Sequence, residues 1–212
     1  MMAGKFIAFE GGEGTGKSTQ ARLLTEYLQS KGISTVLTRE PGGTAGAEAI
    51  RSLLLDPPGE GWGARAEALL FAAARSDHVE KLIRPGIAAD KWVICDRFLD
   101  SSRAYQGGAG GVGDNAVLSL HEVGSDGLRP DLTILISVPP ATIAARLAER
   151  DGDTSDAIGG RSAEYHAEVA STFLNLAKSE PDRFFEIDGD GTAKDVHQRV
   201  LAVLEPLLGA QT

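Results

Sequence analysis

Short apolar runs alternate along the chain with longer segments in which apolar residues recur every three or four positions. The short runs are typical of buried β-strands, and the longer segments are typical of amphipathic helices. Strands are predicted at Lys5–Glu10, Thr35–Thr38, Trp92–Asp96, Leu132–Val138 and Phe184–Asp188. Helices are predicted at Lys17–Ser30, Ala45–Leu55, Arg65–Ile83, Asp114–Glu122, Pro140–Arg150, Ser162–Lys178 and Thr192–Leu208.

This alternation of strands and helices predicts the architecture. Parallel strands joined by right-handed helical crossovers form a sheet that helices cover on both faces. We therefore expect an α/β protein with a five-stranded parallel sheet flanked by helices on both faces. Ligands of such sheets bind beyond the carboxyl ends of the strands, so the residues that follow each strand are the first candidates for function.

Two segments rich in glycine or polar residues are predicted to be loops. Gly107–Gly113 contains five glycines, which indicates a mobile loop. Asp151–Gly160 contains three aspartates and no cationic residue, and Arg161 follows it directly.

Composition narrows the class of protein. The chain has 212 residues, of which 42% are apolar and 24% charged, which predicts one globular domain over residues 1–212. The single cysteine, Cys95, excludes an internal disulfide and fits a reducing cytoplasm; it lies in an apolar run and is expected to be buried. We see no signal peptide and no apolar run of about 18 residues, so we expect a cytoplasmic protein with no membrane partner.

The net charge of −9 disfavours a nucleic-acid partner, because general affinity for DNA or RNA requires a basic face. Any anionic ligand must then be held by local positive groups.

The segment between the first strand and the first helix matches the phosphate-binding pattern G-x-x-x-x-G-K-[ST], the P-loop. Backbone N–H groups of such a loop surround phosphates, its lysine reaches the β- and γ-phosphates, and its hydroxyl ligates magnesium. We predict a Mg²⁺–ATP site at Gly11, Gly12, Glu13, Gly14, Thr15, Gly16, Lys17, Ser18 and Thr19. Asp96, at the end of the third strand, is the predicted second metal ligand beside Ser18.

Other features decide among classes of P-loop protein. A GTPase would carry D-x-x-G after the third strand and N-K-x-D for guanine, but Asp96–Leu99 does not match and no asparagine precedes a lysine. A DNA-dependent motor is disfavoured by size and acidity. A small-molecule kinase remains.

The acceptor of such a kinase should be anionic, because arginines lie after the strands or on the helices between them, and arginine binds phosphate with two N–H groups. The arginines at these positions are Arg39, Arg51, Arg75 and Arg97.

Three segments resemble the thymidylate kinase (dTMP kinase) family: Phe9–Thr19, Thr38–Thr44 and Asp96–Gly107. Leu70–Arg75 also resembles the thymine-contacting helix of that family. The resemblance extends from about Phe6 to the last helix and is weakest over residues 151–168. It implies a P-loop NTPase fold, a homodimer, and phosphorylation of dTMP to dTDP by ATP with magnesium. A P-loop kinase for another small phosphorylated acceptor, or a non-catalytic P-loop protein, stays open.

The same resemblance assigns roles to residues. Phe71 would stack on thymine, while Arg75, Ser102 and Gln106 would contact the edge of the base. Arg39 and Arg97 would hold the dTMP phosphate, Glu13 would face the 3′-hydroxyl, and Tyr105 would pack beneath the deoxyribose. Arg146 would lie against adenine. The implied acceptor site comprises Glu13, Arg39, Arg51, Phe71, Arg75, Arg97, Ser101, Ser102, Tyr105 and Gln106.

A mobile lid that excludes water is expected at about residues 151–161. Relatives resemble one of two arrangements, with an arginine either in the P-loop or in the lid. The P-loop here has no arginine, so the transferring phosphoryl group requires a cation from elsewhere. We expect Arg161 to be the main lid cation, hinged at Gly159 and Gly160, and Arg150 the lesser one. The predicted catalytic residues are Lys17, Arg97, Arg161 and Arg150.

Overall fold

The computed structural model of the protein describes residues 3–143, 146 and 157–209. Five strands lie within them, and all five were predicted, two with ends that differ by one residue. They are β1 (Lys5–Glu10), β2 (Thr35–Arg39), β3 (Trp92–Asp96), β4 (Leu132–Ser137) and β5 (Phe184–Asp188). The strands form one parallel sheet in the order β2-β3-β1-β4-β5.

Helices connect the strands. They are α1 (Lys17–Ser30), α2 (Ala45–Leu55), α3 (Ala64–His78), α4 (Arg84–Ala88), α5 (Leu99–Ser102), α6 (Asp114–Ser125), α7 (Ala163–Ser179) and α8 (Ala193–Gly209). A π-helical segment, Val79–Ile83, joins α3 to α4, and a second, Arg103–Ala109, continues α5. Of the predicted helix Pro140–Arg150, residues 140–143 and Arg146 are described and helical.

The prediction of a loop at Gly107–Gly113 is wrong for its first three residues, which belong to the second π-helical segment. A Cβ atom on Gly108 would lie 2.5 Å from the hydroxyl oxygen of Thr172 on α7. The glycine therefore permits close packing of two helical segments rather than flexibility. The turn itself is short, and Gly111 and Gly113 have φ values of 69° and 92° there.

The three central strands, β1, β3 and β4, are buried on both faces because they are largely apolar on both sides. Ile7 and Phe9 of β1 pack with α1 and α8 on one face, and Phe6 and Ala8 pack with the first π-helical segment and α6 on the other. Cys95 is buried as predicted, and burial raises the pKa of its thiol. No helix within residues 3–143 and 157–209 is both long and apolar enough to cross a bilayer.

The register of the sheet brings three polar residues, Glu10, Arg39 and Asp96, together at the carboxyl ends of the strands. Arg39 at the end of β2 pairs with Asp96 at the end of β3, and Asp96 pairs with Phe9 of β1, next to Glu10. The P-loop follows β1 directly, so its glycines also lie at the carboxyl end of the sheet.

Candidate active site

A cleft of about 550 Å³ opens at the carboxyl ends of the central strands. The P-loop and Arg146 line one end, and α3 and α5 line the other. The cleft collects most of the residues predicted to bind ligands. Those that line it are Glu13, Gly14, Gly16, Lys17, Ser18, Thr19, Arg39, Arg51, Phe71, Arg75, Asp96, Arg97, Ser101, Ser102, Tyr105, Gln106 and Arg146.

The P-loop has the geometry of an anion site. Gly11, Gly14 and Gly16 have φ values of 138°, 69° and 95°, which side chains rarely tolerate, so glycine is required for the loop to close before α1. The Lys17 ammonium lies across the loop and donates to the carbonyl oxygen of Gly12 at 2.5 Å. Burial, and then the positive charge of Arg97, lower the pKa of Lys17 to about 8. A bound polyanion would stabilise the charged ammonium.

Ser18 and Asp96 meet beside the loop, where the Ser18 hydroxyl donates to one carboxylate oxygen of Asp96. The other oxygen, Oδ1, is buried and has no hydrogen-bond partner among the described residues. An unpaired buried carboxylate oxygen is costly unless a cation approaches it. A hydroxyl and a carboxylate are oxygen ligands of the type that Mg²⁺ binds together with phosphates and water, so the two residues fit that metal.

Arg97 joins the two ends of the cleft. Its φ of 67° is strained for a non-glycine residue, and its side chain lies back over the P-loop. Nη1 donates to the carbonyl oxygen of Gly11 at 2.9 Å and Nη2 to Glu13 at 2.6 Å. The guanidinium also lies 5.1 Å from the centre of the Tyr105 ring. Arg97 is therefore within reach of anions bound at either end.

Glu10, to which the sequence patterns assigned no role, fixes the turn that carries Arg97. Its side chain is fully buried and accepts from the backbone N–H groups of Phe98 at 2.8 Å and Ser101 at 3.1 Å. The Ser101 hydroxyl donates to its second oxygen at 2.6 Å. Burial and the nearby carboxylate of Asp100 raise the pKa of Glu10 to about 7. The sequence feature that could have revealed a role for Glu10 is a carboxylate at the end of a mostly apolar strand.

Arg75 is held by a second carboxylate that the sequence patterns did not reveal, Glu40. Arg75 is 3% exposed; its Nε donates to Glu40 at 2.7 Å and its Nη2 to the Ser102 hydroxyl at 2.7 Å. Glu40 also lies 3.0 Å from His78 Nδ1. Burial alone would raise the pKa of Glu40, but Arg75 and His78 lower it below its usual value. Arg75 is therefore part of a buried ion pair as well as of the cleft wall.

An aromatic ring and polar groups from α3 and α5 line this second end of the cleft together. Phe71 lies one helical turn before Arg75, so both share one face of α3 and line the cleft. Ser102 and Gln106 are separated by the same spacing on the neighbouring helical run, which hydrogen-bonds to α3, and they line the same end of the cleft. Tyr105 is buried between the two ends. Such a slot can accept a flat ring with polar edges.

Two further arginines border the cleft. Arg39 is half-exposed and pairs with Glu48 at 2.9 Å, and Arg51 donates to the carbonyl oxygen of Pro41 at 2.7 Å. With Lys17 and Arg97, they concentrate positive charge at one edge of an acidic chain. This concentration meets the requirement that anionic ligands be held locally.

Arg146 contacts the P-loop, whereas Arg161 contacts residues of two helices. Arg146 donates to the carbonyl oxygens of Thr15 at 3.4 Å and Gly189 at 3.0 Å. Arg161 contacts Glu67 of α3 and donates to the Tyr165 hydroxyl at 2.6 Å, so in this structure it contacts α3 and α7.

Part of the expected lid is described. Arg150 and residues 151–156 lie outside the described residues. Ile158 and Leu55 line the cleft, although neither was predicted to do so, and the backbone of Ala157 donates to Leu55 at 3.4 Å. The second half of the expected lid therefore packs on the end of α2.

Comparison with known proteins agrees with this geometry. The family profile described as thymidylate kinase matches residues 9–200. A thymidylate kinase of Rhizorhabdus wittichii is 52% identical over 207 residues, which span 98% of this chain and 100% of the relative. One of Rhodopseudomonas palustris is 46% identical over 97% of this chain and 92% of the relative. The crystal structure of thymidylate kinase from Ehrlichia chaffeensis superposes with a TM-score of 0.79 at 35% identity, covering 95% of this chain and 99% of that one. The sheet of parallel strands, the P-loop and these relatives together show that the chain has the P-loop NTPase fold and belongs to the thymidylate kinase family.

Proposed function

We propose that this protein transfers the γ-phosphoryl group of Mg²⁺–ATP to dTMP and releases dTDP and ADP. The observation that carries the proposal is the position of Arg97, which contacts the P-loop on one side and the wall of the second subsite on the other. A phosphoryl acceptor bound there would lie next to the triphosphate. The relatives named thymidylate kinase support dTMP as that acceptor.

At the triphosphate end, residues 11–19 surround the phosphates, and Lys17 neutralises the β- and γ-phosphates. Ser18 and Asp96 would hold Mg²⁺, which when bound spreads and neutralises the charge on the phosphate oxygens. Arg146, beside the P-loop carbonyl of Thr15, would contact adenine.

At the acceptor end, Phe71 would stack on thymine, and the base edge would meet Arg75, Ser102 and Gln106. Arg39, Arg51 and Arg97 would hold the phosphate of dTMP, assisted by Ser101. Glu13 and Tyr105 would face the deoxyribose. Stacking does not discriminate among bases, so selectivity must come from the polar groups at the edge.

The reaction requires position and charge rather than a covalent intermediate. Two phosphates that repel each other must be aligned, and the charge that spreads over the transferring group must be neutralised. Arg97 stands at the junction, and Lys17 lies on the donor side. Closure of residues 151–161 would exclude water and bring Arg161, with Arg150 as the lesser cation, to the transferring group. For Arg161 this would require exchange of its present contact with Glu67.

A panel of acceptors tests the proposal. ADP release should be measured in a coupled assay with dTMP, dUMP, dGMP, dCMP and AMP at equal concentrations. We expect the highest kcat/KM with dTMP. A higher kcat/KM for a purine or cytosine nucleotide would favour the alternative, a P-loop kinase for another acceptor, and release of ADP with none of them would contradict a kinase of this class.

We also propose that the chain is a single domain that forms a homodimer in the cytoplasm and has no nucleic-acid partner. Resemblance to the family supports the dimer, and the acidic charge of −9 disfavours nucleic acid. Sedimentation equilibrium should give twice the chain mass of 22.2 kDa. A mass equal to that of one chain at micromolar concentration would contradict the dimer.

A further inference from the structure

Glu67 is a buried carboxylate on α3 that the mechanism does not use. It is 7% exposed and is not among the residues that line the cleft. One of its oxygens accepts from the side-chain amide of Gln106 at 2.9 Å, and the other accepts from Arg161. Because both oxygens act as acceptors, Glu67 offers no proton to either neighbour.

This arrangement fixes the orientation of the Gln106 amide. An amide has a donating nitrogen and an accepting oxygen, and only the nitrogen can face an acceptor-only carboxylate. The nitrogen of Gln106 is therefore turned to Glu67, behind the cleft wall. The oxygen, Oε1, is the polar atom that remains for a ligand, and no described residue donates to it.

Arg75, which lines the same end of the cleft, presents the opposite polarity. Arg75 uses Nε for Glu40 and Nη2 for Ser102 and the Phe98 carbonyl, so Nη1 keeps its donors without an acceptor among the described residues. Beside the Phe71 ring, the slot thus offers one donor, from Arg75, and one acceptor, from Gln106.

We propose that Glu67 is a specificity-determining positioning residue that holds the carbonyl oxygen of Gln106 toward the base. A base is then accepted when its edge carries a carbonyl oxygen at position 4 and an N–H at position 3, as in thymine and uracil. Cytosine has an amino group and an unprotonated nitrogen at those positions and would set donor against donor and acceptor against acceptor. Sites that hydrogen-bond a substrate in this way reject a mismatched analogue strongly, because buried polar groups are left unpaired. The inference rests on the proposed function and names the group that sets its choice of base.

The test is the isosteric substitution Glu67→Gln, which replaces the acceptor-only group by one that can donate or accept and so lets the Gln106 amide turn over. We expect the ratio of kcat/KM for dTMP to that for dCMP to fall at least tenfold. The ratio for dTMP to dUMP should stay within twofold, because these bases present the same edge. Glu67→Asp, which remains acceptor-only, should keep more of the dTMP to dCMP ratio than Glu67→Gln. An unchanged dTMP to dCMP ratio in Glu67→Gln would overturn the inference.

Matched variants separate this role from others. Arg161→Met removes the other partner of Glu67. Any loss of turnover in this variant should be the same with dTMP and with dCMP, so the ratio of their kcat/KM values should not change. In a Gln106→Leu background, Glu67→Gln should cause no further change in that ratio, and a further tenfold change would show that Glu67 does not act through Gln106. If Glu67→Gln does not fold, as judged by circular dichroism, Glu67→Met should show the same fall.

The experiment also separates the inference from the proposed function. A wild-type enzyme that does not prefer dTMP contradicts the function. A wild-type enzyme that prefers dTMP, with a Glu67→Gln variant equally selective, contradicts only the role of Glu67. Calorimetric titration with dTMP and with dCMP in the absence of ATP gives the same comparison without turnover, and Glu67→Gln should weaken dTMP binding more than dCMP binding.

Discussion

At the scale of single residues, several arginines at the cleft are paired with a protein carboxylate. Arg39 pairs with Glu48, Arg75 with Glu40, and Arg97 with Glu13. These carboxylates hold the guanidinium groups in place before any ligand binds, which reduces the entropy lost on binding. Truncation of such an arginine also leaves its carboxylate unpaired, and for the buried Glu40 this is costly. Activity and stability must therefore be measured together at these positions.

Lys17→Ala should lower kcat by about 10² to 10³, the usual loss when one preorganised charge donor is removed. The fold should persist, since among the described residues the Lys17 ammonium donates hydrogen bonds only to atoms of the P-loop itself. Turnover should be measured alongside far-UV circular dichroism, with Lys31→Ala at the other end of α1 as the control. Near-normal turnover in a folded Lys17→Ala variant would contradict the assignment of the P-loop.

Phe71→Leu should raise the KM for dTMP while leaving the KM for ATP within twofold. Stacking of a base on an aromatic ring contributes about 1 to 3 kcal/mol, which corresponds to about 5- to 150-fold in affinity. Leu69→Ala, at a half-exposed position on the same helix, should change neither value. Equal losses for both substrates in Phe71→Leu would mean that the ring supports the packing of α3 and not the base.

At the scale of elements, one helical run carries much of the acceptor site. Leu99–Ser102 and Arg103–Ala109 are continuous, so Ser101, Ser102, Tyr105 and Gln106 are placed by a single backbone. π-Helical turns are often found at functional sites, because the wider turn redirects side chains. This run packs on α6, where His121 stacks edge-on against Phe98 at 5.6 Å.

Protonation of His121 should destabilise the protein. Its Nε2 lies 2.7 Å from the Leu128 carbonyl, and Nδ1 is buried without a partner in the described part of the chain. Burial, followed by the charge of Arg75 and a smaller effect of Arg129, lowers the pKa of His121 to about 4, while Leu128 and Glu40 act in the opposite direction. The unfolded chain, with an ordinary pKa of about 6.5, binds more protons between these values, so stability rises with pH across the window and is lost as pH falls through it.

The His121→Gln variant tests this dependence. Urea unfolding of wild type and variant should be compared from pH 4 to pH 8. We expect the free-energy difference between them to change by about 3 kcal/mol between pH 6.5 and pH 4, in favour of the variant at low pH, and to stay constant above pH 7. Parallel profiles over the whole range would contradict the role of His121.

At the scale of the whole molecule, a buried ionic network joins parts of the chain that are distant in sequence. Asp100 is fully buried and accepts from two nitrogens of Arg183, at 2.8 and 3.0 Å, and from Arg103 at 3.1 Å. Glu180, before β5, accepts from the same two arginines. The network ties the helical run of the acceptor site to β4 through Thr133 and to the turn before β5.

Asp100→Asn should therefore lower the free energy of unfolding by about 1.5 to 3 kcal/mol, because the guanidinium groups of Arg103 and Arg183 lose a buried charge partner and keep Glu180. The urea midpoint measures the change. Asp126→Asn is the matched control: its pair with Arg84 is exposed, so its effect should stay below about 1 kcal/mol. Similar midpoints for the two variants would mean that the network contributes little to stability.

The sequence by itself determined the strands, most of the longer helices and the phosphate site. The P-loop is local, since its glycines, Lys17 and Ser18 act within eight consecutive residues. Strand and helix positions follow from the spacing of apolar residues, which each element needs in order to bury one face. The loop prediction failed at Gly107–Ala109 because it relied on local sequence alone. Gly108 permits close packing against α7, and this contact cannot be seen in the spacing of nearby residues.

Only the tertiary structure decided the strand order and the carboxylates that position the arginines. Glu40 meets Arg75 across 35 residues, Glu67 meets Gln106 across 39, and Glu10 meets Ser101 across 91. A single carboxylate in the sequence gives no sign of its partner, because the partner is chosen by which elements the crossovers bring together. Burial then makes each pairing obligatory, since an unpaired charge inside the protein is too costly to keep. The sequence thus determined which chemical groups this protein has, and the fold decided which of them act on one another.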